Sequence, residues 1–254
     1  MTATYDDSRF FCPDAITLYA NTNEAYLRLP VKGIIVELPG LGGGSCLGGS
    51  MERGDYSAEH AREYGQKGIV MAYMFPGPWS WGNAGAVRMT DGVIDALMAK
   101  YALPADTPIV ISGGSMGGMG ALNFAAYTRH ALGGVAAACP CVDVLACMHC
   151  RADFPRTYIS AVAGYDMPLE EALKSISPVE LVDRMPDVPY CISSDGADEL
   201  FPEKQCHDYV QALRGRGLRV DYLPQPGLTH GGFLPEVWQA MHAFMEKCIL
   251  GETI

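Results

Sequence analysis

Ser115 stands in Gly113-Gly114-Ser115-Met116-Gly117, with a glycine two positions before it and another two after. A serine hydroxyl is a poor nucleophile at neutral pH and attacks a carbonyl only when a neighbouring base takes its proton. The flanking sequence supplies the reason to expect that chemistry. An apolar run, Pro108–Ser112, precedes the box, and a helix-like run, Met119–Tyr127, follows it. A serine at such a sharp strand-to-helix turn sits in a strained backbone with its hydroxyl pushed out above the sheet edge. Side chains at the glycine positions would collide with the neighbouring strand and helix. The helix that begins there aims its free N–H groups and positive dipole end at any anion formed beside the hydroxyl. A Gly/Ser-rich loop could imitate five such residues, but not the strand before and the helix after.

Of the six histidines, His230 is the expected base. It lies in Pro226–Gly232, a loop between the last predicted strand and the closing helix, and such a loop hangs over the carboxyl edge of a parallel sheet. His60, His207 and His242 fall on helix patterns and read as surface or packing residues. An imidazole in this role needs a carboxylate to hold its tautomer and stabilise the imidazolium. Asp195 and Asp198 both follow the predicted strand Tyr190–Ser194, and the residues alone leave the choice open.

The elements that must position these groups alternate between strand and helix patterns, the signature of a mostly parallel sheet covered on both faces. Predicted strands are Gly33–Leu38, Ile69–Phe75, Pro108–Ser112, Val135–Ala138, Tyr190–Ser194 and Val220–Leu223. Predicted helices are Ser57–Lys67, Thr90–Tyr101, the run after Ser115, Glu203–Arg214 and Phe233–Leu250. Ile16–Ala20 and Ala25–Leu29 read as an opening hairpin joined by Asn21-Thr22-Asn23. From Cys139 to about Pro186 the rhythm breaks into short helix-like pieces with no convincing strand. The expectation is a single α/β domain over residues 1–254 with a helical lid insertion at about 139–186. That connection is longer than usual and therefore expected to be functional.

With Ser115, a carboxylate and His230 in that order, the chain resembles the α/β-hydrolase superfamily over essentially its whole length. The stretch from Ser177 to Gly232 looks similar to the catalytic domain of the prolyl-oligopeptidase family and its esterase cousins. The resemblance implies an α/β-hydrolase fold, a mostly parallel twisted sheet with helices on both faces. It also implies that Asp198, four residues before Pro202, is the acid, while Asp195 braces the loop. The oxyanion would be held by the N–H of Met116 and by one from the glycine-rich loop Pro39–Gly44, with Leu41 as the donor and Gly42 as the alternative. Many relatives carry His-Gly where this chain has Pro39-Gly40, which leaves the backbone donors but removes a bracing histidine. The expected activity is carboxylic-ester hydrolysis on a small-molecule ester through an acyl-enzyme, with no cofactor. A peptidase of the prolyl-oligopeptidase type and a non-catalytic hydrolase-fold binding protein are the alternatives.

Other motifs carry less. The Pro39–Gly44 loop does not spell G-x-G-x-x-G, and no Gly-Lys pair exists for a phosphate loop. Cys139-Pro140-Cys141 and Cys147-Met148-His149-Cys150 suggest a zinc site, but the first pair lacks the customary spacing, so no metal is expected and the thiols read as small buried residues. Trp79 and Trp81, in a loop after Ile69–Phe75, either line a substrate pocket or cover the adjacent helix. The net charge of −11 argues against nucleic acid and anionic lipid. No run of about 18 apolar residues predicts a membrane span. The N-terminus carries no signal-peptide pattern, so the nine cysteines are expected as reduced thiols in a cytoplasmic protein. The sequence says nothing of oligomeric state.

Overall fold

The computed structural model describes residues 9–42 and 59–251. Seven strands form one sheet: β1 Ala20–Thr22, β2 Gly33–Leu38, β3 Ile69–Met74, β4 Ile109–Gly114, β5 Gly134–Ala138, β6 Tyr190–Asp195 and β7 Val220–Gln225. Their order is β1-β3-β2-β4-β5-β6-β7, with β1 antiparallel to β3 and the other pairs parallel. The central strands are apolar on both faces, as burial on both sides demands: every residue of Ile69–Met74 is buried, and so are Ile34, Ile35 and Val36.

Helices α2 (Ala84–Lys100), α3 (Met116–Tyr127) and α6 (Glu203–Gly215) cover one face, packing on Ile34, Val36, Ile111 and Ile192. Helices α1 (Glu59–Gln66) and α7 (Pro235–Leu250) cover the other, over Ile35, Met71 and Val110. From β2 the chain first moves outward to β3, then crosses back so that β4 lies on the other side of β2. The carboxyl ends of β2 and β4 therefore flank a topological switch point, the crevice where open α/β sheets bind ligands. Leu38 and Gly113 are register partners there, which brings the loop after β2 beside the turn at Ser115.

Between β5 and β6 the chain builds α4 (Phe154–Val162), α5 (Leu169–Ser175) and a 3₁₀ segment, Pro178–Arg184. This is the stretch where the strand rhythm breaks. Its apolar side chains form a separate cluster with Trp81, Met116 and Phe201.

Two local expectations are corrected. The opening hairpin does not form: Pro13–Leu18 and Glu24–Tyr26 are 3₁₀ turns, and only Ala20–Thr22 pairs, with β3. The cause is Asn23. Its buried amide donates to the Ala61 and Ile69 carbonyls at 2.8 and 3.0 Å and accepts the Met71 N–H at 2.9 Å. A side chain thus takes the place that a second strand would have held, and the chain turns away. Helix α2 starts at Ala84, six positions before the expected Thr90, because Asn83 caps it by accepting the Ala86 N–H at 2.9 Å. The same Asn83 donates to the Ala161 carbonyl of α4 at 2.8 Å.

Candidate active site

Ser115 follows the last residue of β4 and precedes the first of α3, with φ 58° and ψ −121°. A positive φ at a non-glycine residue costs about 1–3 kcal/mol and persists only where packing enforces it. The enforcement comes from helix α3 lying hard against β2 and β4. A Cβ on Gly117 would land on the Leu38 carbonyl oxygen, and one on Gly113 would lie 2.5 Å from the Gly117 carbonyl. Gly117→Ala is accordingly expected to push α3 off the sheet and cost about 3 kcal/mol, the upper end for overpacking. Chemical denaturation checks this, and an unchanged midpoint would contradict it. The Ser115 N–H donates to the Ala138 carbonyl at 2.9 Å, tying the turn to β5.

Three side chains from three loops meet in a line. The His230 Nε2 lies 2.8 Å from the Ser115 Oγ, and its Nδ1 lies 2.7 Å from Asp198 Oδ2. The other oxygen of Asp198 accepts the N–H groups of Leu200 and Phe201 at 2.8 and 3.0 Å. With Oδ1 held by two backbone donors, Oδ2 is directed at the imidazole. The Asp198 side chain is nearly inaccessible, whereas His230 remains one-fifth exposed. The Phe201 ring stands edge-on to His230, with centroids 5.0 Å apart.

Asp195 lies at the end of β6, fully buried, and does not touch His230 by any hydrogen bond. Its Oδ1 accepts from Gln225 Nε2 at 2.7 Å, and its Oδ2 accepts the Gly231 N–H at 2.8 Å. Gln225 in turn accepts the Leu234 N–H at 2.8 Å. Asp195 and Gln225 thereby clamp both ends of the loop carrying His230. Burial raises the Asp195 carboxyl above its ordinary value. Gln225 was not singled out in the sequence. Its place in β7, directly before the histidine loop, is a signal legible only once the strand's end is known.

The Sγ of Cys139, a carboxylate oxygen of Asp195 and a ring nitrogen of His230 lie within 4.8 Å of one another. Those atoms are already committed. Asp195 holds Gln225 and Gly231, His230 holds Ser115 and Asp198, and burial pushes the Cys139 thiol up to about 12. The thiols of the insertion also have local partners: Cys141 Sγ with the Tyr158 hydroxyl at 3.2 Å, and Cys147 Sγ with Gln205 Oε1 at 3.2 Å.

Of the loop after β2, Leu41 and Gly42 are described, and Gly43 and Gly44 lie outside the described residues. The Gly42 N–H donates to the Pro78 carbonyl at 2.8 Å. Gly42 is thus withdrawn as an alternative oxyanion donor. Met116 opens α3, and its N–H is one of the first-turn donors that a helix leaves without an internal partner.

Neither indole is among the described residues that line the cavity beside Ser115. Trp81 is fully buried. It packs against Tyr158, Phe154 and Phe201 at centroid distances of 4.2, 5.5 and 6.4 Å and donates to Thr157 Oγ1 at 3.1 Å. Trp79 is partly exposed beneath the Arg156 guanidinium. Trp81 pins the helical insertion to the sheet. The cavity beside Ser115 opens instead on the α7 face, holds about 400 Å³, and has Gly40, Phe233, Trp238, Met241 and Met245 among its lining.

Residues 80–251 match the prolyl oligopeptidase family. No match was found among curated protein sequences. Solved structures similar to the chain include puromycin hydrolase, at 20% identity and a TM-score of 0.70 over 89% of this chain and 35% of that one. Acylaminoacyl peptidase from Pyrococcus horikoshii gives 18% and 0.64 over 87% of this chain and 37% of that one. Esterase B from Lactobacillus rhamnosis gives 13% and 0.64 over 89% and 79%. The chain thus spans about a third of the length of the two peptide- and puromycin-cleaving proteins. Among the described residues no helix is long and apolar enough to cross a membrane. Sheet order, the strained turn at Ser115 and the family match agree: the chain belongs to the prolyl oligopeptidase family, serine hydrolases on the α/β-hydrolase fold.

Proposed function

We propose that the chain hydrolyses carboxylic esters with Ser115, His230 and Asp198 as its catalytic triad. The observation that carries this reading is the hydrogen-bonded line from Asp198 through His230 to a serine at the mouth of a largely apolar cavity. His230 Nε2 takes the Ser115 proton as Oγ bonds to the ester carbon, and the carbonyl oxygen becomes an oxyanion held by the Met116 and Leu41 N–H groups. The imidazolium, stabilised by Asp198, gives its proton to the departing alkoxide, leaving an acyl-Ser115. Water then repeats the cycle, with His230 taking its proton and returning one to Ser115. Phe154 of the segment 139–186 stacks on Phe201, which stands edge-on to His230, so that segment braces the base.

The apolar lining of the cavity suits an acyl chain, and the likeness to Esterase B runs over 79% of that protein. The family match favours a second reading, cleavage of peptide bonds. A substrate panel decides between them. Alkyl and aryl esters are expected to be turned over while aminoacyl anilides are left nearly untouched. Anilide turnover at rates comparable to the esters would select the peptidase.

A further inference from the structure

Alternation along β2 puts Glu37 on the same face as Ile35, toward α7, and the register sets Tyr73 and Ser112 on either side of it. It lies on the wall of the cavity that opens at Ser115, close to the middle of the sheet. Among the described residues no cation and no hydrogen-bond donor meets its carboxyl, and burial alone pushes it up to about 7. The histidine that shares the cavity lining, His242, cannot serve as a counter-charge. His242 Nδ1 bonds the Tyr64 hydroxyl at 2.6 Å, and burial beside His60 pushes its pKa down to about 4, so it is neutral at pH 7. The side chain is half-buried on the cavity wall, and a carboxyl held there without a partner is still more costly to ionise than one in open water. An organic cation entering the cavity would remove that cost, and the Trp238 and Phe233 rings nearer the mouth add faces that attract cations.

We propose that this cavity selects substrates whose acyl part ends in an ammonium group, with Glu37 as its counter-ion. The proposal rests on the ester-hydrolase reading for the reaction, though not for the binding. Ser112, the register partner of Glu37, precedes Ser115 by three residues, which at the rise of a strand is about 10 Å. An ammonium several carbons from the carbonyl spans that gap.

The test compares kcat/KM for p-nitrophenyl 6-ammoniohexanoate with that for p-nitrophenyl heptanoate, in which a methyl replaces the ammonium. Wild-type protein is expected to favour the charged ester, and Glu37→Gln to lower the ratio by about 10- to 100-fold, the worth of one charge-assisted hydrogen bond. A ratio unchanged in folded Glu37→Gln overturns the proposal. A calorimetric arm uses Ser115→Ala, which keeps Glu37 in place. That variant is expected to bind hexylammonium about tenfold or more tighter than 1-hexanol, and equal or weaker binding overturns the proposal. If hexylammonium binds in this way while the wild type cleaves neither ester, the cation site stands and the ester-hydrolase reading falls.

Discussion

Ser115→Ala is expected to lower kcat for ester hydrolysis by about 10⁶-fold, the scale seen when the nucleophile of such an assembly is removed. The geometry explains why the effect should be so large and so local. Among the described residues, the hydrogen-bond partner of His230 Nε2 is Ser115 Oγ, at 2.8 Å, and Ser115 stands directly before the first residue of α3. The fold should not suffer. Alanine at φ 58° pays the same backbone cost as serine, and the enforcing contacts come from Gly113, Gly117 and Leu38 rather than from the hydroxyl. Labelling by a fluorophosphonate probe should disappear together with turnover, while the unfolding midpoint stays. Full labelling of the alanine variant would place the nucleophile elsewhere, and absence of labelling in the wild type would favour a binding protein over an enzyme.

The second large effect separates two aspartates. Asp198→Asn is expected to lower kcat by about 10⁴-fold. Leu200 and Phe201 donate to Oδ1, so the asparagine must keep its carbonyl oxygen there and present its NH₂ to His230. An NH₂ facing Nδ1 requires that nitrogen to accept, which puts the ring proton on Nε2. An imidazole protonated at Nε2 can no longer take the proton of Ser115. Asp195→Asn meets a different fate. Its oxygens face Gln225 Nε2 and the Gly231 N–H, so one of two bracing bonds is lost and the loop loosens. A positional loss of that kind costs about 10²-fold at most. Steady-state kinetics on one ester ranks the pair, and the reverse ranking would give the acid's role to Asp195.

Much of this was legible in the residues themselves because the signals are local. The strand–turn–helix context of Ser115 depends on steric rules within about ten residues, and the structure places that turn at the junction of β4 and α3. The parallel sheet follows from apolar runs separated by helix patterns, whereas the order of its strands was not written in those runs. The spacing Asp198 to Pro202 carried information only through that resemblance. What stayed illegible was non-local. Asn23 replaces a strand partner by reaching Ala61, Ile69 and Met71, residues 38 to 48 positions away. Trp81 joins the sheet to the helical insertion through Thr157, 76 residues later, so its choice between pocket and packing was not written nearby. The carboxyl of Glu37 looks like an ordinary charge at a strand end until β3, β4 and α7 close around it. Local sterics and periodicity specify which backbone can form at each segment. Which side chains share a cavity, and which polar groups are left there without partners, is decided by packing between segments far apart in the chain, and short-range patterns do not contain that information.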